Sequence, residues 1–285
     1  MPKQLLAILL IAGLVSCKKS DDPIVPPPTI AAKTSYNVSY GNNAQQVMDI
    51  YLPAGRNVDS TKVFVLIHGG AWTEGDKSEY NVLVSKIQSL LPDYAIVNMN
   101  YRLANAMGNY FPTQENDVKA AIDMLMQKRS EYLISDDFVL FGGSAGAHLA
   151  LLQAYKQTTP KVKVVVDLFG PTDMAALYNS LTDPTLQMGM QFLMGGTPAV
   201  NPQLYFSSSP INFVTPQTPP TIIFHGDMDV VVNVSHSIAL KNELDAKGVP
   251  SQLEILTGLG HDGWPDAAVN SALAKTKDFI LQHMD

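Results

Sequence analysis

Gly142-Gly143-Ser144-Ala145-Gly146 sits between an apolar run, Phe138-Val139-Leu140-Phe141, and an alanine- and leucine-rich stretch, His148-Leu149-Ala150-Leu151-Leu152. A G-x-S-x-G between a strand and a helix marks a sharp reversal. It lifts the serine hydroxyl clear of a sheet and aims the first helical amides at whatever that hydroxyl attacks. Small residues are needed at both ends of the motif, where a side chain would collide with neighbouring backbone. In a chain with 19 glycines the pentapeptide alone carries little weight. Its setting and its partners elsewhere in the chain give it meaning.

A serine hydroxyl is a poor nucleophile until a base takes its proton, and the base needs a third group to fix its tautomer. It also needs amide donors for the charge that develops on an attacked carbonyl oxygen. Upstream, the buried-strand pattern Val63-Phe64-Val65-Leu66-Ile67 ends in His68-Gly69-Gly70-Ala71-Trp72. The amides of Gly70 and Ala71 are the candidate oxyanion donors there, joined by that of Ala145. Downstream, Thr221-Ile222-Ile223-Phe224 ends in a loop with two carboxylates, Asp227 and Asp229. Asp229, farther along the loop, is the candidate orienting acid, with Asp227 as the alternative. After a last strand at 252–256, Thr257-Gly258-Leu259-Gly260-His261 places a histidine on a glycine-rich loop, and His261 is the candidate base. The remaining histidines have structural explanations. His68 and His225 end strands and bond loop backbone, His148 lies on the helix behind the serine, and His236 and His283 fall on polar helix faces.

The chain order Ser144, Asp229, His261 is that of the α/β-hydrolases, and the sequence resembles the carboxylesterase and lipase type of that fold. The similarity is carried by His68 to Trp72, Asn100-Tyr101-Arg102-Leu103, Gly142 to Gly146, Phe169-Gly170-Pro171-Thr172-Asp173, His225-Gly226 with Asp229, and Gly260-His261. It points to small bacterial H-G-G-x-W esterases, similar to hormone-sensitive-lipase-like enzymes and to feruloyl and acetyl esterases. Ala71 stands where hormone-sensitive-lipase relatives usually have a third glycine. The resemblance implies hydrolysis of short-chain or carbohydrate-linked acetyl or feruloyl esters through an acyl-enzyme, with no cofactor and no metal. Two other readings use the same motif: a serine peptidase of the prolyl-oligopeptidase type, and a surface-tethered binding module that keeps the fold without the chemistry.

Eight strands, near 36–40, 47–51, 62–67, 94–98, 137–141, 164–169, 221–225 and 252–256, alternate with helical patterns. Val118, Ala121, Ile122 and Leu125 recur at helical spacing, as do Ile238, Leu240 and Leu244 more loosely. The expectation is an α/β fold: a mostly parallel eight-stranded sheet with helices on both faces and an antiparallel start. The long interruption before the strand at 221 carries Met188, Met190, Phe192, Leu193 and Met194. In this fold such an insertion covers the site, so Met190 and its neighbours are read as a pocket wall or as plain helix core. Trp72 and Trp264 are further candidates for shaping the pocket. Arg102 with Asp117 reads as a structural ion pair, and Asp173 as a helix cap.

The 285 residues fit one such domain at 35–285 behind a short leader. Residues 1–16 combine Lys3 with a compact apolar run, read as a secretory signal too short to span a membrane. They end in Leu14-Val15-Ser16-Cys17, which resembles a lipobox, so the one cysteine of the chain is the expected lipidation site. Residues 17–34, charged and then proline-rich, read as a flexible tether. An exported domain held at the cell envelope through Cys17 follows, with the membrane contacted through that lipid alone. A formal charge of −7 and the lack of a basic run exclude nucleic acid as a partner.

Overall fold

The computed structural model describes residues 30–160 and 162–284. The leader, Cys17 and most of the tether lie outside the described residues. Eight strands form one sheet: β1 (Lys33–Ser39), β2 (Val47–Leu52), β3 (Val63–Ile67), β4 (Ala95–Met99), β5 (Phe138–Gly143), β6 (Val162–Leu168), β7 (Thr221–Gly226) and β8 (Ser251–Leu256). Their spatial order is β1-β2-β4-β3-β5-β6-β7-β8. Strand β2 runs antiparallel to both β1 and β4, and every later pairing is parallel.

Strands β3, β4 and β5 are buried along their whole length. Parallel strands covered on both faces have no solvent side, which is why these segments are continuous apolar runs. Their side chains alternate between two cores. Val63, Val65 and Ile67 point into one cluster with Leu149 and Leu152, and Phe64 and Leu66 point into another with Ile87 and Phe279.

The covering helices are α1 (Asn81–Leu90), α2 (Thr113–Gln127), α3 (Arg129–Tyr132), α4 (Ala145–Lys156), α5 (Met174–Ser180), α6 (Pro184–Leu193), α7 (Pro202–Ser207), α8 (Ser235–Ala246) and α9 (Asp266–His283). Val118, Ala121, Ile122 and Leu125 are buried on α2, and Leu240 and Leu244 on α8. Ile238 is exposed, which corrects the looser periodicity assigned to α8. Asp173 caps α5 by accepting from the amides of Ala175 and Ala176, both at 2.9 Å. The Arg102 guanidinium grips Asp117 at 2.5 Å and 2.9 Å, and the Arg102 amide adds a third bond at 2.8 Å. Among the described residues no helix is long and apolar enough to cross a membrane.

The register gathers the loops that matter. Ile67 pairs with Gly142, Gly143 with Leu168, Leu168 with Phe224, and Gly226 with Leu256. The loops after β3, β5, β6, β7 and β8 therefore all leave from one edge of the sheet.

Candidate active site

The reversal at β5 is built by exclusion. A Cβ on Gly142 would overlap the Gly146 carbonyl, and one on Gly146 would overlap the Ile67 carbonyl oxygen. Two glycines let strand, turn and helix pass this closely. Between them Ser144 adopts φ 53° and ψ −120°, a conformation costly for a residue with a side chain. Its amide is held by the Leu168 carbonyl at 2.9 Å, its carbonyl accepts from His148 at 3.1 Å, and its hydroxyl projects from the sheet edge.

His261 Nε2 lies 2.9 Å from Ser144 Oγ, and His261 Nδ1 lies 2.6 Å from Asp229 Oδ2. The other Asp229 oxygen accepts from the amides of Val231 and Val232 at 2.8 and 2.9 Å. Asp227 turns outward instead and ties down the Gly258 amide at 2.6 Å. The loop thus resolves its two carboxylates: Asp229 goes to the imidazole, Asp227 to the backbone.

A second imidazole reaches the same carboxylate. His225 is fully buried, and its Nε2 lies 2.8 Å from the Val232 carbonyl and 3.2 Å from Asp229 Oδ2. Two acceptors face that nitrogen, so it carries the proton. Nδ1 then accepts from the Ser237 hydroxyl at 2.6 Å. Burial alone would raise the Asp229 pKa, but the hydrogen bonds from His225 and His261 outweigh it and hold the carboxyl well below the usual range. The backbone contact expected of His225 is present, whereas its bond to the carboxylate has no sequence signal beyond its place four residues upstream. His236 is also buried, against the expectation of a polar helix face. Its Nδ1 accepts from the Thr172 amide at 3.3 Å, and burial lowers its pKa to about 4.

The His68–Trp72 loop turns its carbonyls inward. The Tyr101 hydroxyl lies 3.0 Å from both the His68 and Gly69 carbonyls, and the Gly70 carbonyl accepts from Thr73 and Glu74. The amides of Gly70, Ala71 and Ala145 donate to no other described residue. Gly70 holds φ +101°, where a Cβ would also strike the Glu74 carbonyl. Ala71 and Trp72 follow at positive φ as well, 49° and 62°. The Trp72 indole donates to His148 Nδ1 at 3.2 Å, and His148 Nε2 donates to the Ser208 carbonyl at 2.7 Å. Burial keeps His148 neutral by lowering its pKa to about 4.

A cavity of about 150 Å³ opens beside Ser144, lined by Ala71, Trp72, Leu181, Leu186, Met190 and Leu193 among others. Trp72 and Met190 therefore wall it, while Met188 and Phe192 on the same helix are exposed. Trp264 does not line this cavity. Its indole is tied to the Gly260 carbonyl at 2.9 Å and packs edge-on against Phe169, facing a separate cleft between α1 and α9. No group of three or more His, Cys, Asp or Glu among the described residues is placed to hold a metal ion. The arrangement can pass the Ser144 proton to His261 and can present free amides to a carbonyl oxygen at the same edge.

The chain is similar to the esterase LipQ of Mycobacterium tuberculosis, 29% identical over 248 residues that make up 79% of this chain and 56% of LipQ. The same organism's probable carboxylic ester hydrolase LipM is 27% identical over 223 residues, 73% of this chain and 51% of that protein. The chain thus spans little more than half the length of these curated relatives. Among solved structures, a truncated carbohydrate esterase from gut microbiota superposes with a TM-score of 0.72 at 26% identity, covering 88% of this chain and 95% of the other. The architecture is the α/β-hydrolase fold. The BD-FAE family pattern matches residues 48–244, a span that holds both Ser144 and Asp229, and the chain belongs to that family.

Proposed function

We propose that the chain is a serine carboxylic-ester hydrolase that acts through an acyl-enzyme on short-chain or carbohydrate-linked acetyl or feruloyl esters. The observation that carries this reading is the hydrogen-bonded chain from Ser144 through His261 to Asp229, at 2.9 and 2.6 Å. His261 takes the Ser144 proton as Oγ attacks the ester carbonyl carbon. The amides of Gly70, Ala71 and Ala145 receive the oxyanion. His261 then gives its proton to the departing alkoxide, releasing the alcohol. Water, deprotonated by the same imidazole, attacks the acyl-enzyme; the second tetrahedral adduct collapses to the acid and restores Ser144. Asp229, itself held by His225, keeps Nδ1 of His261 protonated and its Nε2 facing the serine. The esterase names of the relatives support the reaction class, and the carbohydrate esterase neighbour supports a sugar-bearing substrate.

Cys17 is proposed to carry a lipid that holds the domain at the cell envelope. The leader before it and the lack of a second cysteine support that reading.

The test pairs a fluorophosphonate probe with two chromogenic substrates. The wild-type protein should be labelled on Ser144 and should cleave p-nitrophenyl acetate faster than a proline p-nitroanilide. Faster amide cleavage would point to a peptidase, and an unlabelled serine to a binding module.

A further inference from the structure

Three successive residues of the loop after β3, Gly70, Ala71 and Trp72, hold positive φ of 101°, 49° and 62°. Glycine takes that conformation freely. Ala71 and Trp72 take it only against steric cost, so a short loop left to itself would relax out of it. Whatever keeps the loop in place therefore also aims the Gly70 and Ala71 amides. The hold is at Trp72. Its side chain is buried, its carbonyl accepts from the Ala104 amide at 2.9 Å, and its indole N–H donates to His148 Nδ1 at 3.2 Å. The two rings meet edge-on, with 5.2 Å between centroids and 85° between planes.

An indole nitrogen can only donate, so a buried Trp72 needs an acceptor. An imidazole offers one only when it is neutral and protonated on its other nitrogen. Ser208, just past the end of α7, imposes that state on His148. Nε2 lies 2.7 Å from the Ser208 carbonyl, which can only accept, so Nε2 carries the proton and Nδ1 keeps its lone pair for the indole. His148 is itself fully buried, with the Phe111 ring centred 5.6 Å away. It stands one turn along α4 from Ser144, whose carbonyl accepts from its amide. Helix α4 begins at Ala145. One helix thus carries both the Ala145 amide and the acceptor that pins the loop bearing the Gly70 and Ala71 amides.

We propose that His148 is a positioning residue for the oxyanion hole: through the Trp72 indole it keeps the Gly70 and Ala71 amides in place beside that of Ala145, and Ser208 fixes the tautomer this requires. The assignment rests on the ester-hydrolase reading above and adds a residue that touches neither the substrate nor the reacting atoms. Its mark is kinetic. Loosening the loop weakens binding of the transition state, where the oxyanion exists, and leaves ground-state binding nearly unchanged.

The experiment measures kcat and KM of the full chain on p-nitrophenyl acetate, and the Ki of a trifluoromethyl ketone whose adduct with Ser144 carries the oxyanion. His148→Leu removes the acceptor. It should lower kcat roughly 10- to 100-fold with KM within about threefold of wild type, and should raise the Ki by a similar factor to the fall in kcat. Two amide variants separate the hydrogen bond from the ring. His148→Asn keeps an acceptor where Nδ1 stands, whereas His148→Gln keeps a donor toward Ser208, so His148→Asn should turn over at least about fivefold faster. Trp72→Phe removes the donor from the other end and should lose kcat as His148→Leu does.

Three results overturn the proposal: a folded His148→Leu protein with kcat within about threefold of wild type, a loss confined to KM, or a His148→Asn protein no faster than His148→Gln. A kcat that falls while the ketone Ki stays fixed overturns it too, since the loss then lies outside the oxyanion hole. If thermal unfolding shows that His148→Leu does not fold, Trp72→Phe decides in its place by the same limits. Wild-type hydrolysis of p-nitrophenyl acetate supports the ester-hydrolase reading whatever the variants do. A wild type that leaves the ester intact overturns both.

Discussion

The turn at Gly142–Gly146 and helices α5 and α6 border the same cavity but are built on opposite terms. At the turn, backbone lies against backbone, and an added methyl group would overlap a carbonyl at either end. Along α5 and α6 the chain leaves Leu186, Met188 and Phe192 exposed, and the one helical glycine facing the cavity, Gly189, has open space beside it. Attack at a carbonyl needs atoms held to a fraction of an ångström, which buried strand ends supply. A wall beside the reacting atoms needs only side chains, which can change without disturbing the sheet.

The largest expected contrast is in rate. Ser144→Ala or His261→Ala should each lower kcat on p-nitrophenyl butyrate by roughly 10⁶-fold, with the double variant no slower. Asp229→Asn should cost roughly 10⁴-fold. Additive losses in the double variant would show that the two side chains do not act as one unit. Steady-state kinetics on the purified variants decides this.

The next contrast is one of sign. The same glycine-to-alanine change that should stabilise α6 at Gly189 should destabilise the turn at Gly146 by roughly 3 kcal/mol, because the Ile67 carbonyl has no room to give. Urea unfolding of the Gly146→Ala protein measures this. A loss below about 1 kcal/mol would mean that the turn is less tightly determined than its contacts indicate.

The smallest contrast concerns pH. Asp167, on β6 under the site, is fully buried; its Oδ1 accepts from the Gly170 amide at 2.8 Å, and its Oδ2 has no partner among the described residues. Burial raises its pKa from 3.8 to about 7. Folding therefore favours the protonated form. That contribution is complete below about pH 4, where the unfolded chain is protonated too, and is lost as pH rises through 7. Asp167→Asn stays neutral, so its stability relative to the wild type should improve as pH rises from about 4 to about 7 and level off above that. Urea midpoints across that range test it, and a pH-independent difference would contradict it.

Much of the fold was legible because buried parallel strands leave a strong local signature. Each of the eight expected strands overlaps an observed one, the ends shifting by a few residues where a strand runs into its loop. The serine turn was legible for the same reason, being defined by five adjacent residues. The histidines were read less well. His225 and His236 look alike in sequence to any strand-end or helix-start residue, and both proved to be buried partners of other loops. Trp264 follows His261 by three positions, which suggested a shared pocket. Its bond to Gly260 and its packing on Phe169 turn the ring to the other side of the imidazole.

Local pattern was enough to give the order of strands and helices, the serine turn and the short set of residues able to serve it, because hydrophobic period and turn chemistry act over a handful of neighbours. Which carboxylate meets His261, that a second imidazole braces it, and how much room lies beside Ser144 were decided only by folding. Those outcomes depend on segments far apart in the chain, with Ser144 and His261 separated by 117 positions and Asp229 and His261 by 32, brought together by the register of a sheet.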